Sequence, residues 1–431
     1  MSKESYKFQI DTSWTITFII LLLSIFFIVG WTSCENIVPF GILLVIISIL
    51  QIYRTKDVPQ LLLLFSVIGY INVSTAVLDY FTMGIYSKYY QFALRHSESG
   101  LMYAKMFLLN TAVISIMITP RFLNEAKIYA NDKLQARKNN PLISYGLLFA
   151  ALLIALTQFS GNAGIGGYVS NSNALYEYVV IFLIMGMYFA GERKELKLLY
   201  VIIGILYVIK GLLGGDRSSA FMAILVYVIY FFSHKMKIGR ILTYSFAGIL
   251  VANIVGVLRN SLHTLNELAQ VLVKRSLLFF FSDTVSASFY AGITVVEYGL
   301  LGNSSFSLLM KWIKSLFFGA STETNIVRLA SRINVNGGGG LYPSYFGFFG
   351  GYFGVIIGAI ILGFIIRIMF VGDSDWKRVS KIVIIAMVFR WYLYTPVSLF
   401  RTILINFNII FLVCYMADKA INRNNSYEWS N

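Results

Sequence analysis

Apolar residues run through this chain in long blocks, each parted from the next by a short polar stretch rich in lysine and arginine. To cross a bilayer as a helix, a block must cover about 30 Å of hydrocarbon. Twelve stretches meet that demand, some with help from flanking residues: 14–31, 37–53, 59–78, 100–119, 142–159, 176–190, 198–214, 219–233, 239–257, 345–370, 380–397 and 402–418. The pattern predicts an all-α polytopic integral membrane protein with twelve transmembrane helices. It divides into a nine-span region over 1–257, a large loop over 258–344 and a three-span region over 345–431.

Composition agrees with that class, and loop charge orients it. Of 431 residues, 58% are hydrophobic and 13% charged, with a mean hydropathy of +0.72. The formal net charge of +15 does not read as nucleic-acid binding. The cations lie mostly in short loops between apolar blocks, the bias that fixes membrane orientation. With the N-terminus in the cytoplasm, Arg54, Lys56, Arg121, Lys127, Arg193, Lys194, Lys235, Lys237, Lys377 and Arg378 all fall inside. Both termini are then cytoplasmic, and the loop between spans nine and ten is extracytoplasmic. The first block follows Lys3 and Lys7 but precedes no small-residue cleavage site, so it reads as an uncleaved span. Cys34 and Cys414 fall on opposite faces, which argues against a disulfide.

Segment 258–344 is too long for an idle loop and too apolar for disorder. Within it, Ser305–Phe318 places Phe306, Leu309, Met310, Ile313, Leu316 and Phe317 on one helical face with Lys311 opposite. That is the pattern of a helix lying in the membrane surface. Residues 277–301 are apolar enough to enter the bilayer, as a re-entrant hairpin or as two short spans. From residue 328 the chain carries Arg328 and Arg332 at i, i+4, so both share one face of a helix. Gly337, Gly338, Gly339 and Gly340 follow, and four successive glycines form a pliable hinge rather than a stable helix. Beyond the hinge, Gly347/Gly351, Gly350/Gly354 and Gly354/Gly358 repeat the small-xxx-small spacing of closely packed membrane helices.

Cations that break the inside bias mark the outer face as the place for chemistry. Arg217, Arg259, Lys274, Arg275, Lys311, Lys314, Arg328, Arg332 and Arg401 all map there, against fewer acids: Asp216, Glu267, Asp283, Glu297 and Glu323. A surplus of arginine predicts a non-protein anion, and a lipid-linked diphosphate suits the planar guanidinium, which binds phosphate bidentately. Lys311 and Lys314 read instead as contacts to anionic headgroups. Arg217 stands in GGDRSS, a tight outer turn in which Asp216, Ser218 or Ser219 caps the next helix. The Asp373-Ser-Asp375 pair sits in a short inner turn and reads as a helix cap. His263 and Glu267, at i, i+4, are either an acid–base pair or a surface pair. Three scattered histidines offer no metal cluster.

Many spans, GGDRSS in a mid-chain outer turn, a large late outer loop and an arginine segment before a glycine-rich span together resemble the O-antigen and capsular repeat-unit polymerases (Wzy-type). Arg328 and Gly339 also fit an Arg-x10-Gly pattern of that family. The resemblance implies a metal- and nucleotide-independent glycosyltransferase at the outer face of the bacterial inner membrane, joining polyprenyl-diphosphate-linked oligosaccharides. It implies no cofactor, and a chain-length regulator protein as a partner. Arg217, Arg328 and Arg332 would stabilise the departing diphosphate, with the base among Asp283, Glu267 and His263. Arg259, Arg275, Gly337, Gly338, Gly339, Gly340 and Tyr342 would complete the substrate-binding surface. An O-antigen-ligase-like enzyme shares this layout; a lipid-oligosaccharide flippase would show two similar halves and no large late loop.

Overall fold

Proline starts several helices here, because its fixed φ suits the first turn and its missing N–H has no partner to lose there. The computed structural model describes residues 12–76, 96–130, 138–157, 174–214, 216–232, 239–240, 243, 283–319, 323–333 and 339–428. In order these form α1 (Thr12–Gly30), α2 (Val38–Arg54), α3 (Pro59–Thr75), α4 (Glu98–Met117), α5 (Pro120–Ala130), α6 (Pro141–Thr157), α7 (Ala174–Phe189) and α8 (Lys194–Gly214). They continue as α9 (Arg217–Phe232), α10 (Asp283–Tyr298), α11 (Phe306–Phe318), α12 (Ile326–Ala330), α13 (Tyr342–Phe370), α14 (Asp375–Ala386), α15 (Val388–Trp391) and α16 (Phe407–Glu428). Gly299–Asn303 and Ser398–Asn406 are wound in the wider π form. No strand occurs among the described residues.

The molecule is a membrane protein by its surface as well as its helices. Helices α1, α4, α13 and the continuous Ser398–Asn422 are long and apolar enough to cross a bilayer, and α2, α3, α6 and most of α7 and α9 are shorter apolar helices. Their outward faces are apolar: Phe18, Phe26 and Val29 on α1, Phe149 and Leu156 on α6, Leu412 and Val413 on α16. Water would not tolerate so much exposed hydrocarbon, whereas lipid requires it. Several polar side chains are turned inward and hydrogen-bonded within the protein. Asn72 donates to Ser48 Oγ (3.2 Å), and Gln51 Nε2 donates to the Thr111 carbonyl (3.2 Å).

Helix α4 packs along α13, α6 along α7, and α8 along α9. Four features depart from the sequence pattern. Block 345–370 is not one straight span. At Gly351 (φ 55°, ψ −138°) the chain reverses, and residues 342–350 fold back antiparallel on the limb that follows. Tyr342 donates its hydroxyl to Gly358 O at 2.8 Å, although sixteen residues of straight helix would separate the two by about 24 Å. The glycine spacing therefore serves a hairpin. A Cβ at Gly354 would strike the Phe346 carbonyl, and one at Gly358 would lie 2.5 Å from the Phe346 ring.

Block 380–397 is also broken, at Met387 and again over Tyr392–Pro396. Of residues 277–301, 277–282 lie outside the described residues, and 283–298 form a single helix. This is α10, whose Val285, Phe289, Tyr290, Ile293 and Val296 are buried against α3, α4 and α13. Helix α11 forms as expected, with Ser305 as its cap (Leu308 N to Oγ, 3.2 Å). Two sides of it are apolar, however. Trp312 and Leu316 face the protein, Trp312 stacking on Tyr345, while Phe306, Met310, Ile313 and Phe317 stay exposed. Apart from residues 239–240 and 243, block 239–257 lies outside the described residues.

Candidate functional site

The turn between α8 and α9 is held by one carboxylate. Asp216 Oδ1 accepts from Ser218 Oγ (2.7 Å) and Ser219 N (3.2 Å), and Oδ2 accepts from Ser219 Oγ (2.5 Å), which caps α9. Burial would raise this carboxyl, but the Arg390 guanidinium and the Ser218 and Ser219 hydrogen bonds outweigh it and hold Asp216 below its ordinary range.

Arg390 approaches from α15, just past the break at Met387. Its Nη2 lies 3.0 Å from Asp216 Oδ2 and 3.1 Å from Glu177 Oε1, in the first turn of α7. The side chains of Arg390, Glu177 and Asp216 are only 15%, 20% and 6% exposed. Charges so placed persist only when paired. The Arg390 guanidinium also sits 5.4 Å from the centre of the Tyr394 ring, within cation–π range. Behind the carboxylates, Tyr176 and Tyr207 stack at 4.4 Å and exchange hydroxyl-to-carbonyl hydrogen bonds.

The glycine-rich segment is fastened to the same turn. Gly340 N donates to Tyr394 O (2.9 Å), Tyr342 N to Tyr392 O (2.8 Å), and Tyr345 Oη to Tyr394 O (2.8 Å). Gly339 adopts φ +75°, and a Cβ there would come 2.5 Å from Tyr394 Cδ1, so only glycine fits. Arg401, half-buried on the π-wound segment, lies under the end of α11: a Cβ on Gly319 would meet its Nη1 at 2.8 Å. Arg401 is also within electrostatic reach of Glu177. The Nε atoms of Arg390 and Arg401 are both buried without a hydrogen-bond partner among the described residues. At the far ends of these helices Lys138 ties Asp418 (3.0 Å) and Asp375 (3.7 Å), and Asn139 pairs with Ala190.

Of the residues singled out in the sequence, the structure brings Gly339, Gly340 and Tyr342 to this turn, and Arg217 follows Asp216 as the first residue of α9. The side chains of Arg217 and Asp283 lie outside what is described, as do Arg259, His263, Glu267, Arg275, Gly337 and Gly338 altogether. Arg328 and Arg332 are exposed on and just after the single turn of α12, and neither forms an ion pair among the described residues. Helix α12 adjoins the site, since a Cβ at Gly340 would lie 3.3 Å from Val327. Asp373 pairs with Arg378 and Ser374 caps α14, so that turn is structural. Among the described residues no cluster could hold a metal ion.

Sequence reading missed Glu177 and Arg390. The available signal was two opposite charges, each inside or at the edge of an apolar block, where an ionisable residue is expected to have a partner. Fold and site together define an integral membrane protein with a buried ion-paired cluster beneath a glycine-anchored turn. Compared with protein-family models, curated proteins and solved structures, the chain finds no match.

Proposed function

We propose that this protein is a repeat-unit polymerase that transfers a polyprenyl-diphosphate-linked oligosaccharide onto a second lipid-linked repeat at the outer face of a bacterial inner membrane. The observation that carries the reading is the pair of arginines, Arg390 and Arg401, each with a buried Nε–H that has no hydrogen-bond partner among the described residues. Leaving such a donor buried without a partner costs about 1–3 kcal/mol, which an anionic ligand would recover. Guanidinium N–H groups take phosphate oxygens in forked geometry, and a departing diphosphate needs that charge as the glycosidic carbon is attacked. Exposed Arg328 and Arg332 stand on the neighbouring turn, suited to meet a second anion. Helix α11, whose C-terminal Gly319 adjoins Arg401, presents Phe306, Met310 and Phe317 outward, as expected where a lipid carrier approaches from the bilayer.

The test is polymer length on gels from cells carrying Arg401→Lys, Arg328→Lys or Arg332→Lys, with membrane levels checked by blot. Lysine keeps the charge but loses the fork, so single repeats should accumulate beside normal protein levels. Loss of one such contact in the transition state corresponds to roughly a hundredfold in rate. Wild-type ladders from all three variants would sink the diphosphate proposal.

A further inference from the structure

We infer that Glu177 is the general base of this site, taking the proton from the acceptor sugar hydroxyl; the inference rests on the polymerase reading above. Two carboxylates flank Arg390 Nη2, and their environments divide the work between them. A carboxylate has about four lone-pair sites. Those of Asp216 are taken by Ser218 Oγ, Ser219 N, Ser219 Oγ and Arg390 Nη2. Asp216 is therefore committed to holding the turn. Glu177 Oε1 lies 3.1 Å from Arg390 Nη2 as an ion pair, and no hydrogen-bond donor to Glu177 is found among the described residues. Its other oxygen has no partner among the described residues, and the side chain is 20% exposed against 6% for Asp216. A base must be held in place and still have a lone pair for the substrate. Glu177 meets both conditions.

The groups facing Glu177 suit the role. Arg390 and Arg401 bring positive charge, Asp216 a fixed negative one, and Tyr207 on α8 a neutral phenol. In the transfer step the acceptor O–H gives its proton to Glu177 Oε2 as the oxygen attacks the anomeric carbon. The bond from that carbon to the diphosphate oxygen breaks, and its electron pair leaves with the lipid diphosphate. Glu177 then releases the proton to water. Two lipid-linked substrates yield one longer lipid-linked product, one polyprenyl diphosphate and one proton.

The experiment uses the purified full chain in phosphatidylethanolamine–phosphatidylglycerol vesicles, with a polyprenyl-diphosphate-linked repeat as substrate. Elongation is followed across pH, and polyprenyl diphosphate affinity by competition. Glu177→Gln should slow elongation by roughly 10²–10⁴-fold and abolish the acid limb of the pH profile, with affinity for polyprenyl diphosphate kept. Elongation by Glu177→Gln at the wild-type rate, or an acid limb that persists in it, overturns the assignment. If Glu177→Gln fails to reach the membrane, Glu177→Asp decides: the withdrawn carboxylate should keep the acid limb at a much reduced rate, and an undiminished rate overturns the assignment. Wild-type protein that elongates nothing removes the polymerase reading itself, and the base with it. Normal elongation by Glu177→Gln removes the base alone.

Discussion

Replacing Gly339 with alanine should loosen the site without touching any charge, and its size can be worked from two separable effects. The first is backbone: at φ +75° an L-residue stands in the left-handed region, at a cost of about 1–2 kcal/mol. The second is contact. The new Cβ would lie 2.5 Å from Tyr394 Cδ1, 3.3 Å from Cε1 and 3.4 Å from Cγ. Carbon atoms sit comfortably at about 3.5–4.0 Å, so the ring must slide by roughly 1 Å. Overpacking of this kind costs about 1–3 kcal/mol. The slide also disturbs the ring's placement against the Arg390 guanidinium, now 5.4 Å from its centre and near the outer limit of cation–π attraction. Gly302 supplies the control. It has φ +80°, and nothing lies within 4 Å of its Cβ position, so Gly302→Ala carries the backbone effect alone. Thermal midpoints in detergent should fall further for Gly339→Ala than for Gly302→Ala, and elongation should fall only in the former. Equal shifts for the two variants would refute the claim that Tyr394 is wedged between Gly339 and Arg390.

Two further outcomes are expected. Because the Asp216 carboxyl is held low in the folded protein, its stabilisation is present above the ordinary carboxylate range and drains away as pH falls through the depressed value; Asp216→Asn should lower the thermal midpoint at neutral pH and flatten its acid decline, and an unchanged profile would contradict the role given to the Arg390 and serine contacts. In a cysteine-free background, cysteines at Asn303 and Asn336 should react with an impermeant reagent on intact cells and one at Asn131 should not, so labelling at Asn131 would reverse the topology.

Much of the fold is legible in the sequence where the physics is local. The Asp216 turn and the helix from Ser305 to Phe318 depend on neighbours a few residues away, and the sequence shows both. The hairpin at Gly351 was hidden because glycines four apart serve equally for close helix crossing and for a chain folding back on itself. The reversal at Gly351 and the bond from Tyr342 to Gly358 separate the two. The amphipathic face of α11 left its buried side open for a different reason. In a bilayer both the protein side and the lipid side of a helix are apolar, so periodicity finds a stripe without saying which way it looks. Most of the candidate site was invisible because it is tertiary. Asp216 and Arg390 are 174 positions apart, and no spacing rule joins them. The arginines beside the glycine run drew notice because they stand next to a conspicuous motif, whereas Arg390 stands in an apolar block whose helix breaks around it.

The hairpin also sets a depth. Tyr342 lies level with Gly358, about seven residues or 10 Å down the second limb from the crest at Gly351. Since Tyr342 N is bonded to Tyr392 O, the turn that bears Arg390 hangs at that level rather than at the rim. At that level the Arg390 guanidinium is flanked by apolar helices rather than bulk water, and its field is screened less than it would be at the rim. An anion binding there, as proposed, would give up most of its hydration before meeting the arginines. Molecules that carry their charge at the end of a long hydrocarbon tail reach such a level from the side, whereas a free, fully hydrated anion must descend into it from above.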